Sequence, residues 1–293
     1  MSQLYTHREG ITYLEQCRVM VNNERLTLAR RKEAFEYHWS IPFASICVLL
    51  LGPGTSLTQQ AARLLSSEGV MVAFSGGQGT PLHLASQSEY REPGYAQAWA
   101  RQWFDEQWRL QAAIDFQRQR CEVVEEGWAR LFQATLDPAP VLSRYLQTLE
   151  TISSTGSLLA AEGEMSKQLY RLLARHLSIE GFSRQPQSAP DLANRFLDQG
   201  NYLAYGLAGL VLWVLGIPHS FPLVHGKTRR GALVFDLADV IKDGCIMPVA
   251  FQCAAEETSE SEFRKRALRQ LKDEQALEVL FEVMQTRCRG LAG

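Results

Sequence analysis

The apolar pattern of this chain changes period at Pro93-Gly94. Before that point, apolar residues come in short runs bounded by turn residues; after it they recur at helical spacing over long stretches. One such change predicts an α+β molecule: a small N-terminal β-rich domain over residues 1–90, then a larger all-helical domain over 91–293. Cys17-Val21, Arg25-Ala29, Ile46-Leu51 and Val70-Phe74 read as strands, with Asn22-Asn23 as a hairpin turn. Thr55, after Gly52-Pro53-Gly54, reads as the N-cap of a helix running to Ser67. Gly76-Gly77-Gln78-Gly79 turns the chain back toward Pro81-Leu84, and a mostly β domain fits these signals better than a βαβ repeat. Past a linker near Ser86 to Pro93, helices are expected over Tyr95 to Glu126, Val141 to Glu150, Ser157 to Ile179 and Asp191 to Leu215. Two more are expected from Pro248 onward, with breaks at Asp137-Pro138-Ala139-Pro140 and at Ser183 to Pro190.

A net charge of −2 excludes a protein that binds nucleic acid through a generally basic surface, so any polyanion contact must come from local patches. The six cysteines form no C-x-x-C pair, which predicts reduced, buried thiols in a cytoplasmic protein rather than a secreted scaffold or zinc module. Met1 to Arg8 lack the apolar core of a signal peptide. The most apolar window, Tyr202 to Ile217, is shorter than a membrane span and holds Gly206, Gly209 and Gly216, so it reads as a buried core helix.

Four residues carry the chemistry: Glu162, His225, Asp236 and Asp239. One imidazole with several carboxylates suits a divalent ion such as Mg²⁺ or Mn²⁺. Glu162 also reads as an acid favoured by a helix start. Asp236 and Asp239 are three apart in a largely apolar helix, so both carboxylates project to one side. Buried acids there need a counter-charge, a hydrogen-bond partner or a metal, and Arg229 and Arg230 are near enough in sequence to pair with them. His225 precedes a polar loop in which Lys227, Arg229 and Arg230 could cradle a phosphate, or which simply joins two helices. Lys167 and Arg171 are four apart and share a face of the Glu162 helix. Trp99, Trp103 and Trp108 read as packing anchors rather than base-stacking platforms.

Taken together, these motifs resemble the CRISPR-associated adaptation integrases, the Cas protein numbered one, most closely the subtype I-F branch. Glu162, Gly163, Lys167 and Tyr170 match the E-G-x-x-x-K-x-x-Y pattern of that family. Asn194-Arg195-Phe196-Leu197 running into Asn201-Tyr202-Leu203-Ala204-Tyr205-Gly206 matches its asparagine helix, and His225 with Asp236-Leu237-Ala238-Asp239 matches its histidine and paired acids. Leu49 to Thr58 and Gly69 to Val72 match its N-terminal domain.

The resemblance implies an N-terminal β domain that dimerises and a C-terminal helical domain that catalyses. Glu162, His225 and Asp239 would be the metal ligands and Asp236 an auxiliary acid. Lys167, Tyr170, Arg171, Lys227, Arg229 and Arg230 would contact DNA. The implied partners are double-stranded DNA (protospacer and CRISPR leader-repeat), a second copy of the chain, a second adaptation protein fused to a helicase-nuclease, and a host DNA-bending protein. The implied reaction is a transesterification in which a protospacer 3′-hydroxyl attacks the leader-proximal repeat, with activity falling at acidic pH as His225 protonates. A nuclease that cuts branched or linear DNA without joining it, and a non-catalytic DNA-binding scaffold, are the competing readings.

Overall fold

A computed structural model of the protein describes residues 11–32, 35–43, 46–74, 82–84, 94–185, 191–225 and 232–288. The chain divides into two compact units, Met1–Glu92 and Pro93–Gly293.

Among its described residues, the first unit holds two four-stranded sheets. In one, β2 (Arg18–Asn22) and β3 (Arg25–Lys32) form an antiparallel hairpin; β4 (Phe35–Ser40) extends it antiparallel and β6 (Ser56–Leu57) lies parallel to β2. Asn22 pairs with Arg25, so the turn is Asn23-Glu24, one residue later than the sequence suggested. Both turn residues have positive φ, 48° and 61°, as a two-residue hairpin loop with primed geometry requires.

In the other sheet the order is β1 (Ile11–Leu14), β5 (Val48–Leu51), β7 (Met71–Phe74) and β8 (Leu82–Leu84). The first three are parallel and β8 is antiparallel to β7. Every residue of β5 is buried, as befits a parallel strand covered on both faces. Helix α1 (Gln59–Ser67) lies between β5 and β7 in the chain, so the unit contains one strand–helix–strand crossover that the strand-dominated expectation understated. That helix is capped by Thr58, whose Oγ1 accepts from the Ala61 amide at 3.3 Å, and not by Thr55. Ser56-Leu57 are taken instead by pairing with Arg18-Val19. Val19, Leu26, Leu49, Leu51, Leu65 and Val72 form the core between these elements. The Gly76 to Gly79 turn and the linker near Ser86 to Pro93 lie outside the described residues.

The second unit is helical among its described residues. Residues 94–132 form α2 (Gly94–Trp103) and α3 (Glu106–Phe132) rather than one helix. Asp105 makes the break: its Oδ1 accepts from the amides of Gln107 and Trp108 at 2.8 and 3.2 Å and starts a new helix. Next come α4 (Ala139–Leu149) and α5 (Thr155–His176), the latter opened by a Ser154/Ser157 capping box. The buried helix α6 (Leu192–Leu215) is capped by Asp191 and stopped by Gly216 at φ 69°. Helix α7 (Ala232–Ile241) is buried along its whole length and passes into a π-helical turn, Lys242–Ile246. Then follow α8 (Met247–Ala255), α9 (Glu260–Asp273) and α10 (Ala276–Cys288), three helices where two were expected. Positive φ at Glu257 and Gln275 marks the junctions between them.

Helix α7 packs against α3 and α6, and the π turn packs against α3. A Cβ on Gly244 would come within 2.5 Å of the Val123 carbonyl oxygen, and one on Gly127 within 3.1 Å of the Gly244 carbonyl oxygen. The two backbones touch, which only glycine permits. All six cysteines are free and buried, and no helix among the described residues is long and apolar enough to cross a membrane.

Candidate metal centre

Glu162 projects from the eighth position of α5, beyond the first turn, so the helix-start explanation does not hold it in place. Arg120 on α3 does. Its Nη1 donates to Glu162 Oε1 at 2.8 Å and to Gln117 Oε1 at 3.1 Å, and its Nη2 donates to Ser166 Oγ at 2.9 Å. Nε donates to Asp243 Oδ2 at 2.9 Å, and Nη2 closes a second contact to the same carboxylate. Tyr145 extends the network by donating to Gln117 Oε1 at 3.0 Å. Arg120 is only 2% exposed, so this is a buried guanidinium with two carboxylates as counter-charges.

Asp236 and Asp239 both project from α7, as their spacing predicts, but their surroundings separate their tasks. Asp236 is buried beneath the segment that carries His225. It accepts from the Leu223 amide at 2.6 Å and from the Val224 and His225 amides at 3.3 and 3.2 Å. The same carboxylate meets His225 Nδ1 at 2.7 Å. An ionised carboxylate can only accept, so Nδ1 carries the proton and Nε2 presents its lone pair. With four donors on Asp236, pairing with a nearby arginine is not needed to explain it. Asp239 faces His225 Nε2 at 3.9 Å through Oδ2, while Lys242 Nζ sits against Oδ1.

One donor atom each from Glu162, His225 and Asp239 lies within 4.8 Å of the others. These residues, with Gln117, Val224 and Asp236, line a cavity of ≈ 10 Å³, about the space that a single water or ion fills. Two carboxylate oxygens and an imidazole nitrogen converging on so small a void would suit a divalent ion such as Mg²⁺ or Mn²⁺. Burial pushes the Asp239 carboxyl up, but Lys242, Arg120 and His225 outweigh it and hold it below the ordinary carboxylate value. Burial pulls the His225 imidazole down, yet its bond to Asp236 and the charges of Asp239, Asp236 and Glu162 leave it above its ordinary value. A proton therefore competes for this imidazole up to a higher pH than for a free histidine.

Of the residues expected to meet DNA, Lys167, Tyr170 and Arg171 lie on α5. Lys167 and Arg171 are exposed on α5, but at 100° per residue they are turned about 140° and about 180° from Glu162. The Tyr170 ring packs against Phe182 and stacks on Phe251, and burial pushes its hydroxyl up to about 12. Lys227, Arg229 and Arg230 lie outside the described residues. Sequence reasoning missed Arg120, Lys242 and Asp243. One signal for Arg120 was present: it sits three, four and seven residues from Gln117, Phe116 and Ala113, on the buried stripe of α3. A charge in that stripe must be paired.

The model of the family described as CRISPR associated protein Cas1 matches residues 12–285. A CRISPR-associated endonuclease Cas1 from Pectobacterium atrosepticum is 41% identical, across 96% of this chain and 93% of that protein. One from Pseudomonas aeruginosa is 42% identical with the same coverage. A crystal structure of a TtCas1–DNA complex superposes with a TM-score of 0.72 at 25% identity, covering 96% of this chain and 92% of that one. The β-strands followed by a larger helical unit, the clustered Glu162, His225 and Asp239, and these likenesses over nearly the full length agree: the chain belongs to the Cas1 family.

Proposed function

We propose that this protein is the metal-dependent DNA integrase of CRISPR adaptation, which joins protospacer 3′-hydroxyl ends to the leader-proximal repeat of the array by transesterification. The observation that carries the reading is the convergence of Glu162, His225 and Asp239 on one small cavity, with Asp236 fixing the imidazole. The names of the relatives, CRISPR-associated endonucleases, and the DNA bound in the TtCas1 complex support DNA as substrate.

In this reading Glu162, His225 and Asp239 hold Mg²⁺ or Mn²⁺, which when bound draws charge from the phosphoryl oxygen and the leaving oxygen. Asp236 keeps the Nε2 lone pair of His225 aimed inward, and Arg120 fixes the Glu162 carboxylate while the ligand set is assembled. Lys227, Arg229 and Arg230 meet phosphates and position the strands, with Lys167 and Arg171 touching DNA on the far side of α5. The incoming 3′-oxygen forms a bond to phosphorus as the bond to the 3′-oxygen of the array strand breaks. One proton leaves the attacking hydroxyl and one is taken up by the departing alkoxide. The number of phosphodiester bonds is unchanged, so no external energy source enters.

The first unit serves as the dimerisation domain and the helical unit as the catalytic domain. The dimer works in the cytoplasm with the second adaptation protein, fused to a helicase-nuclease, and with a host DNA-bending protein.

The test is strand transfer by the reconstituted complex with labelled protospacer in Mg²⁺ or Mn²⁺. Asp239→Ala is expected to lower covalent joining by about 10³-fold or more while the dimer stays intact by sedimentation. Joining at the wild-type rate would overturn the metal assignment. Wild-type protein that cuts the array but attaches no label would be a nuclease. Protein that does neither, and whose melting temperature Mn²⁺ does not raise, would be a scaffold.

A further inference from the structure

The segment that ends in His225 is held from two sides. On one side are its amides: those of Leu223, Val224 and His225 all point at Asp236. On the other are its carbonyls. Trp99 Nε1 donates to the Phe221 carbonyl at 3.1 Å, and Trp103 Nε1 donates to the Pro222 carbonyl at 2.7 Å. Just upstream, the His219 carbonyl accepts from the Leu233 amide at 3.2 Å, which ties the segment to α7.

Trp99 and Trp103 are one turn apart on α2, so their indoles lie on the same face and reach successive residues of the segment. An indole N–H can only donate, which makes a carbonyl its natural partner. Both rings are themselves fixed. Trp99 is fully buried and meets Trp108 edge-on with centroids 5.1 Å apart. Trp103 meets the Phe221 ring at 5.0 Å and lies beneath the Arg109 guanidinium, 5.1 Å from its centroid. Arg109 also donates to the Trp103 carbonyl, locking the end of α2. A segment gripped only at its amides could pivot about Asp236; a second grip on the carbonyls removes that freedom. A ligand must be held to within about 0.5 Å of its productive place, so the pivot matters for Nε2.

We infer that Trp99 and Trp103 are positioning residues: with Asp236 they clamp residues 221–225 and so fix where His225 Nε2 aims. Its final link, from the imidazole to an ion, rests on the metal-site reading above. The clamp itself does not.

Trp103→Phe and Trp99→Phe, singly and together in the full chain, keep most of the buried ring and remove the N–H donors. In the metal-free protein, the amides of Leu223, Val224 and His225 are expected to exchange with solvent at least about 10-fold faster, with α6 and α8 unchanged. Titration with Mn²⁺ is expected to show Kd rising about 2- to 10-fold for each bond lost, the range of one net hydrogen bond. A side chain that only fills space would lower the melting temperature and leave Kd, measured well below melting, alone. Unchanged exchange and unchanged Kd in the double variant would overturn the inference. If the wild-type chain takes up no Mn²⁺, the metal reading falls, and the exchange measurement still decides whether the indoles hold the segment.

Discussion

Arg120 stands to Glu162 and Asp243 as a fixed counter-charge, and its removal shows what the site depends on. Arg120→Met keeps the apolar bulk but leaves two carboxylates, one of them buried, without their shared partner. Breaking a buried pair in this way costs about 3–5 kcal/mol. A urea titration at pH 7 should therefore show a midpoint well below wild type; an unchanged midpoint would mean that the carboxylates find other donors. Lysine is no substitute, because the planar fork reaches Glu162, Gln117, Ser166 and Asp243 at once. This hub was hard to read from sequence for a physical reason. Its acidic partners lie 42 and 123 positions away, and pattern reasoning sees only neighbours on the same helix. The spacing of Asp236 and Asp239 could be read, since three residues on a helix is a local fact. Which of them orients the imidazole and which faces the cavity depends on a segment 11 to 13 residues earlier, beyond local rules.

Among the elements, the π turn at Lys242–Ile246 is held by several contacts at once. It sets Lys242 against Asp239 and Asp243 against Arg120, and its Gly244 rests on the backbone of α3. Gly244→Ala cannot be absorbed by a rotamer change, because the obstacle is the Val123 carbonyl. It should destabilise by about 1–3 kcal/mol, with Gly163→Ala as its contrast. A Cβ at Gly163 meets nothing within 4 Å on an exposed helical position, so that change should stabilise by about 0.5–1 kcal/mol. Thermal unfolding of the two variants should move in opposite directions. At this scale the sequence was informative wherever period alone decides: a strand-rich unit first and a helical one after, in the observed order. It misplaced boundaries where one side chain decides. Asp105 split a continuous helical pattern, and strand pairing of Ser56-Leu57 moved a cap from Thr55 to Thr58. The parallel crossover was missed because β5, apolar along its length, does not reveal its neighbours.

For the molecule as a whole, a net charge of −2 sets the terms on which it can hold DNA. Long-range attraction is weak, so affinity must come from a few cations that release counterions locally. Arg229→Ala should lower affinity and reduce the slope of log K against log salt by about 0.9, the share of one phosphate contact. An equal slope in a salt series by fluorescence anisotropy would mean that Arg229 makes no phosphate contact. The cysteines have a practical consequence on the same scale. Each one is buried, and burial holds the thiols of Cys17, Cys121, Cys245, Cys253 and Cys288 above their ordinary value. Thiolate is the reactive form, so the native surface presents little to an electrophile. A single cysteine introduced at an exposed position is then a selective handle for a fluorophore or spin label, with no need to strip the natural ones away.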